Sequence, residues 1–312
     1  NEELINRHYS DFIRKDYVSS IRDFYQNLLE KENYFPTIEF PLLKENGEEL
    51  WVSQKVIIRR NDLGKIVAYS GIARDITKFK DIEIENKARQ EKIEKYNETI
   101  KRLSTTNFSN YKNLDVSVMQ ILESAARVTR CNRVSYWKYA NDILTCENQY
   151  ELEANSFSRG IVLKKENYPI YFELIKSRKQ ICAPDVFSKY GLSEFTENYF
   201  LEYDIKSILD IPFFINGELI GVLCLEATKS KINWDNEDIN FARSISDIIS
   251  LTMISQSRYE TEKKLEYKSE LLSAMALCTE KFLNSNDFND IFSDVLIIMG
   301  QATKSHRAYY YE

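Results

Sequence analysis

Alternation between apolar and polar positions changes period several times along the chain, and each change marks an element. Residues 1–30 carry Leu4, Phe12, Ile21, Phe24 and Leu28 at helical spacing, which predicts a helical opening. From Phe35 the period falls to two. Phe35–Leu43, Leu50–Arg59 and Lys65–Asp75 read as three antiparallel strands, joined at Glu45-Asn46-Gly47-Glu48 and Asn61-Asp62-Leu63-Gly64. Beyond residue 114 the pattern is helix, strands, helix, strands, helix. Val116–Thr129 is an amphipathic helix, Arg133–Tyr139 and Ile143–Glu151 are strands, and Tyr168–Ser177 and Phe195–Tyr203 are helical. Ile205–Ile215 and Glu218–Thr228 form a hairpin across Asn216-Gly217, two residues that tolerate the positive φ of a tight turn. A last helix starts near Asp235, with Asp238 three residues on, and meets no stop signal before Asn284.

Two stretches free of Gly and Pro show seam positions alternately three and four apart, apolar toward the ends and partly polar in the middle. In the first these are Phe79, Ile82, Asn86, Arg89, Ile93, Tyr96, Ile100 and Leu103; in the second, Leu251, Ile254, Arg258, Thr261, Leu265, Lys268, Leu272 and Met275. Each is either a surface helix or a short parallel coiled coil. The chain also repeats itself. Val118–Trp137 and Phe292–Tyr311 both run an amphipathic helix into a T-[RK]-x-x-R turn and an aromatic strand. Residues 284–312 are therefore expected to open a second copy of the middle domain, in a parent protein that continues past Glu312.

Composition narrows the function classes. The 312 residues carry 43% apolar and 29% charged side chains with only 8 Gly and 5 Pro, which suits helix-connected α+β modules. Net charge is −6 with basic residues scattered, so a nucleic-acid partner is not expected. No apolar run approaches the roughly 20 residues of a membrane span, and the opening Asn1-Glu2-Glu3 is no signal peptide, so a cytoplasmic location is expected. Cys131, Cys146, Cys182, Cys224 and Cys278 are widely spaced, without a CxxC, and read as buried thiols. Two histidines, His8 and His306, leave little scope for histidine catalysis or for a metal site.

Residues 34–80 resemble the C-terminal half of a PAS domain, through Trp51-Val52, Gly64-Lys65-Ile66-Val67 and Gly71-Ile72-Ala73-Arg74-Asp75-Ile76-Thr77. Residues 114–255 resemble a GAF domain, through Lys206–Glu226, Trp234-Asp235-Asn236-Glu237-Asp238 and Phe241-Ala242. Cys182-Ala183-Pro184-Asp185-Val186 and Arg133-Val134-Ser135-Tyr136-Trp137 fit the version placed between PAS modules and histidine kinase or diguanylate cyclase outputs. The implied division is 1–78 PAS C-terminal part, 79–113 helical linker, 114–255 GAF, 256–283 helical linker, and 284–312 the start of a second GAF domain. The implied fold is α+β: a PAS-like antiparallel sheet remnant and a GAF antiparallel sheet with flanking helices, joined by long helical linkers. The implied function is a sensory segment of a bacterial signal-transduction protein, non-enzymatic in itself. It would relay a signal to a downstream output domain in cis, as a parallel homodimer. The alternative is a ligand-free dimerisation and transmission spacer.

The resemblance also bears on cofactors. Cyclic-nucleotide-binding GAF domains carry an Asn-Lys pair where this chain has Ala227-Thr228, and Ile239 stands in place of a Glu. Flavin needs a Cys motif absent before Cys131, haem a histidine absent from the GAF segment, and bilin attachment a Cys-His pair. All three are disfavoured on these grounds, and the ligand stays unknown. By strand alternation Asp210 shares a face with Ile208 and Pro212, and Glu226 with Val222 and Cys224. If the faces coincide, Asp210, Cys224 and Glu226 line the surface that forms the pocket in this family, with Ser135 and Trp137 as further candidates. Either the carboxylates contact a ligand, or they are satisfied by loop backbone. In the ligand reading the Tyr168–Ser177 helix and the loop around Asp185 complete the cavity.

Overall fold

The computed structural model describes residues 8–27, 36–44, 46–106, 114–284 and 288–309. Leu4 and Leu28 of the opening helix, Phe35, Glu45 and Tyr311 lie outside the described residues. The chain divides into two compact units, Asn1–Glu94 and Lys95–Glu312.

In the first unit the expected continuous helix is interrupted. Two 3-10 turns, Tyr9–Phe12 and Lys15–Tyr17, precede α1 (Val18–Asn27). The cause is competition from a sheet edge: Ile13 bridges to Leu42, and the Arg14 amide donates to the Pro41 carbonyl at 3.2 Å. A ladder bond formed there removes the residue from any helix. β1 (Thr37–Leu43), β2 (Glu49–Arg60) and β3 (Ile66–Asp75) form an antiparallel sheet in that order. Ile13, Ile21, Phe40 and Val52 fill its core. β3 passes directly into α2 (Thr77–Thr105). Asp75 Oδ1 accepts from the Thr77 amide and hydroxyl at 2.9 and 2.7 Å, and Thr77 Oγ1 accepts from the Trp51 amide at 3.0 Å. The helix start is thereby tied to the middle strand.

The second unit is built on one antiparallel sheet. Its strands are β4 (Arg133–Ala140), β5 (Ile143–Glu151), β6 (Ser156–Ser158), β7 (Val162–Lys164), β8 (Ile181–Ala183), β9 (Ser207–Ile215) and β10 (Glu218–Ala227). The order is β6-β5-β4-β10-β9-β8, with β7 also on β5. The expected long strands are present; the three-residue strands β6, β7 and β8 were not anticipated, being too short to show a period. Asn216 and Gly217 both take positive φ, 51° and 87°, as the two-residue turn requires.

Period-two alternation splits the sheet into two chemically different faces. Val134, Tyr136, Leu209, Ile211, Phe213, Leu223 and Leu225 pack against α3 (Leu114–Thr129) and the first turns of α5 (Asn236–Asn284), through Ile121, Leu122, Phe241 and Ile245. Trp137, Ile208, Val222 and Cys224 face the other way. They meet α4 (Pro169–Lys176) and the segment 186–205. The end of α2 joins the first face: Tyr96 stacks on Phe241 at 4.2 Å and donates to Asp238 Oδ1 at 2.6 Å. Asp235 and Asp238 each accept the other's amide, at 3.0 and 3.1 Å, which caps α5 at its start.

This packing divides the first seam. Tyr96 and Leu103 are buried against the second unit's own core, whereas Phe79 and Ile82 are exposed. In α5, Leu251, Leu265, Leu272 and Met275 stay exposed. α6 (Phe288–Ala302) packs back on α5, where Lys281 pairs with Asp294 at 2.6 Å. The aromatic strand expected after it is absent through residue 309, since a lone strand has no ladder to join.

β10 approaches β4 and β9 so closely at Gly221 that a Cβ there would collide with the Trp137 carbonyl oxygen and press on Tyr136 and Phe213. Gly221 also follows a register shift between Leu219 and Gly221. Gly221→Ala is expected to cost about 2 kcal/mol or more, because the obstacle is backbone. A lowered urea midpoint at unchanged slope checks it; an unchanged midpoint refutes the close approach.

Candidate functional site

The register of the β9–β10 hairpin settles which side chains meet. Glu226 pairs with Ile208, Cys224 with Asp210 and Val222 with Pro212, so the two candidate faces are one face. β4 adds Trp137 opposite Val222 and Ser135 opposite Cys224. Trp137, Asp210, Cys224 and Glu226 line a single cavity together with Leu163, Tyr171, Phe195, Tyr199, Phe200 and Ile208. Ser135 stands behind this wall, accepting from Trp137 Nε1 at 2.8 Å, and so fixes the indole rather than facing the cavity.

Two carboxyls sit in this apolar setting, both almost wholly buried. Their partners are not loop backbone. Tyr171 of α4 donates its hydroxyl to Asp210 Oδ2 at 2.7 Å, and Tyr199 donates to Glu226 Oε1 at 2.8 Å. Arg133 Nε lies 3.3 Å from Glu226 Oε2. The third wall also departs from expectation. The Asp185 side chain turns outward to Lys231, and the wall is made by 193–200, where the expected regular helix is a 3-10 turn (Ser193–Phe195) followed by a π turn (Thr196–Phe200). Leu201 and Ile205 amides reach back five residues, to Thr196 and Phe200 carbonyls at 3.0 and 2.8 Å. Such wide turns are rare and frequent at functional sites. Here the turn carries Tyr199 and Phe200 onto the cavity.

Burial dominates the electrostatics. It pushes Asp210 up to about 7; hydrogen bonds from Tyr171 and Cys224 pull the other way, and the Glu226 charge adds to the rise. Burial also raises Glu226, opposed by Arg133 and by the Tyr199 hydroxyl. The Cys224 thiol is held well above its ordinary value by burial and by both carboxyls, and Cys146 is pushed up to about 12 by burial and Glu226. Neither thiol is poised as a nucleophile. The cavity itself has about 20 Å³ of free volume, room for a water molecule, which needs roughly 10–15 Å³.

Strand alternation reached Asp210, Cys224, Glu226 and Trp137. Arg133 lies two residues before Ser135 on the same face, within reach of the same alternation. Tyr171 and Tyr199 had no comparable signal, since each lies tens of residues away on an irregular or short element.

The Asp210 shift gives a pH dependence. In the unfolded chain the carboxyl releases its proton near 3.8, and in the folded one near 7. Between these values folding takes up a proton, so stability falls as pH rises through this window and levels off above it. The loss is on the order of 4 kcal/mol at most, for a shift of roughly three units. Glu226 acts in the same direction. Asp210→Asn is expected to flatten the profile. Urea denaturation at pH 4.5, 6 and 7.5 reads it, and parallel profiles for the two proteins would refute the assignment.

Comparison with known proteins matches residues 113–253 to the GAF domain family. A methyl sulfide methyltransferase-associated sensor of Methanosarcina acetivorans is 37% identical over 76 residues, which are 24% of this chain and 8% of that protein's length. Among solved structures, the chain is similar to the phycocyanobilin-bound GAF domain of a cyanobacterial phytochrome (16% identity, 53% of this chain and 96% of that one, TM-score 0.44). It is also similar to the chromophore-binding domain of an unusual bacteriophytochrome from R. palustris (13%, 83% and 85%, TM-score 0.44) and to a free methionine-R-sulfoxide reductase from Neisseria meningitidis (11%, 53% and 91%, TM-score 0.42). These findings correct the view that bilin is disfavoured. Bilin-bound GAF domains are among the similar structures. Residues 113–253 of this chain are a GAF domain.

Proposed function

We propose that this GAF domain is a ligand-responsive sensory module of a bacterial-type signal-transduction protein. A small molecule entering the Asp210–Glu226 cavity is read out through α2 and α5. The observation that carries the reading is the buried carboxyl pair, each met by a tyrosine hydroxyl from outside the sheet, on α4 or the π turn, as well as by a sheet neighbour, Cys224 or Arg133. Such partners move with their elements, so a ligand that replaces them repositions the outer layer. The opposite face of the same strands rests on α5, whose first turn is held by Tyr96 of α2. The sensor name of the Methanosarcina relative supports the sensory part, although the chain spans only 8% of that protein.

The reading extends to the rest of the chain. Residues 1–78 act as the C-terminal part of a PAS domain, 284–312 begin a second GAF domain, and an output domain lies in cis beyond them. The exposed Leu251, Leu265, Leu272 and Met275 are separated by two heptads, one heptad and three residues, as a seam between parallel copies needs. One observation favours a ligand-free spacer instead: the cavity, at about 20 Å³, is filled by its own side chains.

Three outcomes follow. In a thermal-shift screen of amines, amino acids, nucleotides, divalent ions and biliverdin, at least one class raises Tm by mass action, and Asp210→Asn and Glu226→Gln remove the response while remaining folded. A flat screen supports the spacer. Leu265→Asp weakens a homodimer seen by light scattering at micromolar concentration, since it places a charge in an apolar seam; a monomeric wild type refutes the seam. The purified chain turns over neither ATP nor GTP, and phosphate release that tracks a single residue substitution would overturn the non-enzymatic reading.

A further inference from the structure

One buried group in the GAF unit has more hydrogen-bonding capacity than the fold uses. Arg133 opens β4 directly across from Glu226 on one side and Glu151 on the other. Its Nη2 donates to Gln149 Oε1 at 2.6 Å, and Gln149 Nε2 donates onward to Glu151 and Ser158 at 3.0 and 3.1 Å. The guanidinium carbon lies 4.7 Å from the centre of the Tyr203 ring. Arg133 Nε and Nη1 nonetheless make no hydrogen bond, and neither does Glu226 Oε2. Nε and Oε2 are within ion-pair distance, but the N–H does not point along the line between them. A buried donor or acceptor left unmet costs about 1–3 kcal/mol, so three in one place call for something that meets them.

The signs of the charges restrict what that is. An anion would bring its charge beside two carboxyls, and a simple cation would leave both Arg133 donors empty. A molecule with an ammonium and a carboxylate on one short frame satisfies every group. We propose that the cavity takes a zwitterion of the α-amino acid class, its ammonium received by Glu226 and Asp210 and its carboxylate by Nε and Nη1 of Arg133. The inference rests on the ligand-sensing reading above and narrows it.

Tyr199 is the side chain that gives way. Its hydroxyl occupies Glu226 Oε1, its ring lines the cavity, and the same ring centre lies 5.9 Å from the Arg133 guanidinium. Withdrawing it on its π turn joins the space around Arg133 to the cavity. The present free volume holds a water and no amino acid, so binding and withdrawal go together.

Thermal shift and calorimetry on the full chain test this, with the twenty protein amino acids, each beside the amine lacking its carboxylate and the acid lacking its ammonium. At least one amino acid is expected to bind tenfold or more tightly than either counterpart. Arg133→Gln should abolish the advantage over the amine, and Arg133→Lys, which keeps the charge and loses the fork, should reduce it. Tyr199→Phe, which frees Glu226 Oε1 without emptying the site, should tighten binding several-fold. An amine that binds as well as its amino acid overturns the zwitterion and leaves ligand sensing intact. So does a screen in which only nucleotides, divalent ions or biliverdin bind. Loss of binding in Tyr199→Phe overturns the displacement.

Discussion

Two carboxyl groups inside an apolar layer are the constraint around which the GAF unit is arranged. Asp210 and Glu226 occupy neighbouring strands on one face, and ionised carboxylates there are costly unless paired and hydrogen-bonded. The fold answers from three directions: Tyr171 on α4, Tyr199 on the π turn and Arg133 on β4. None of these is adjacent in sequence to the group it meets. The outer layer must therefore stand where it does for the sheet to be tolerable, and the aromatic packing of Tyr168, Phe195, Tyr199 and Phe200 holds it there.

The other face of the sheet has no such tension, and its role is mechanical. Apolar side chains from alternate positions of β9 and β10 bear on α3 and α5 with few polar groups between. A polar contact on this face is the Tyr96–Asp238 bond, where burial and the carboxylate together push the phenol far above its ordinary range. The phenol therefore stays a protonated donor around neutral pH, which suits a joint between helices, whereas Asp210, pushed up to about 7, suits a place where the environment is read.

How much of this was legible depended on the distance over which each signal acts. Asn216-Gly217 fixes the hairpin, a two-residue loop fixes register, and period two then puts Asp210 and Glu226 on one face without further information. The start of α5 at Asp235 was likewise a local matter of capping. Tyr199 was not legible, because a π turn has no sequence period of its own. The seam through Tyr96 and Leu103 is ambiguous for a related reason: three-four spacing marks a stripe and does not say whether the stripe meets another copy or the chain's own core. The three-residue strands exist only because longer neighbours offer them a ladder.

α5 is gripped by the sheet near its base, where buried side chains run from Asp238 to Thr252; farther along, Ala274 and Cys278 are buried too. The remainder continues to Asn284, a shaft of roughly 48 Å at 1.5 Å per residue. On a shaft of that length a tilt of about 5° at the base carries the far end by roughly 4 Å, about three-quarters of the roughly 5.4 Å rise of one helical turn. Axial twist arrives undiminished. Shifts at the strands too small to alter the fold are thus enlarged into displacements on the scale that separates one packing register from the next.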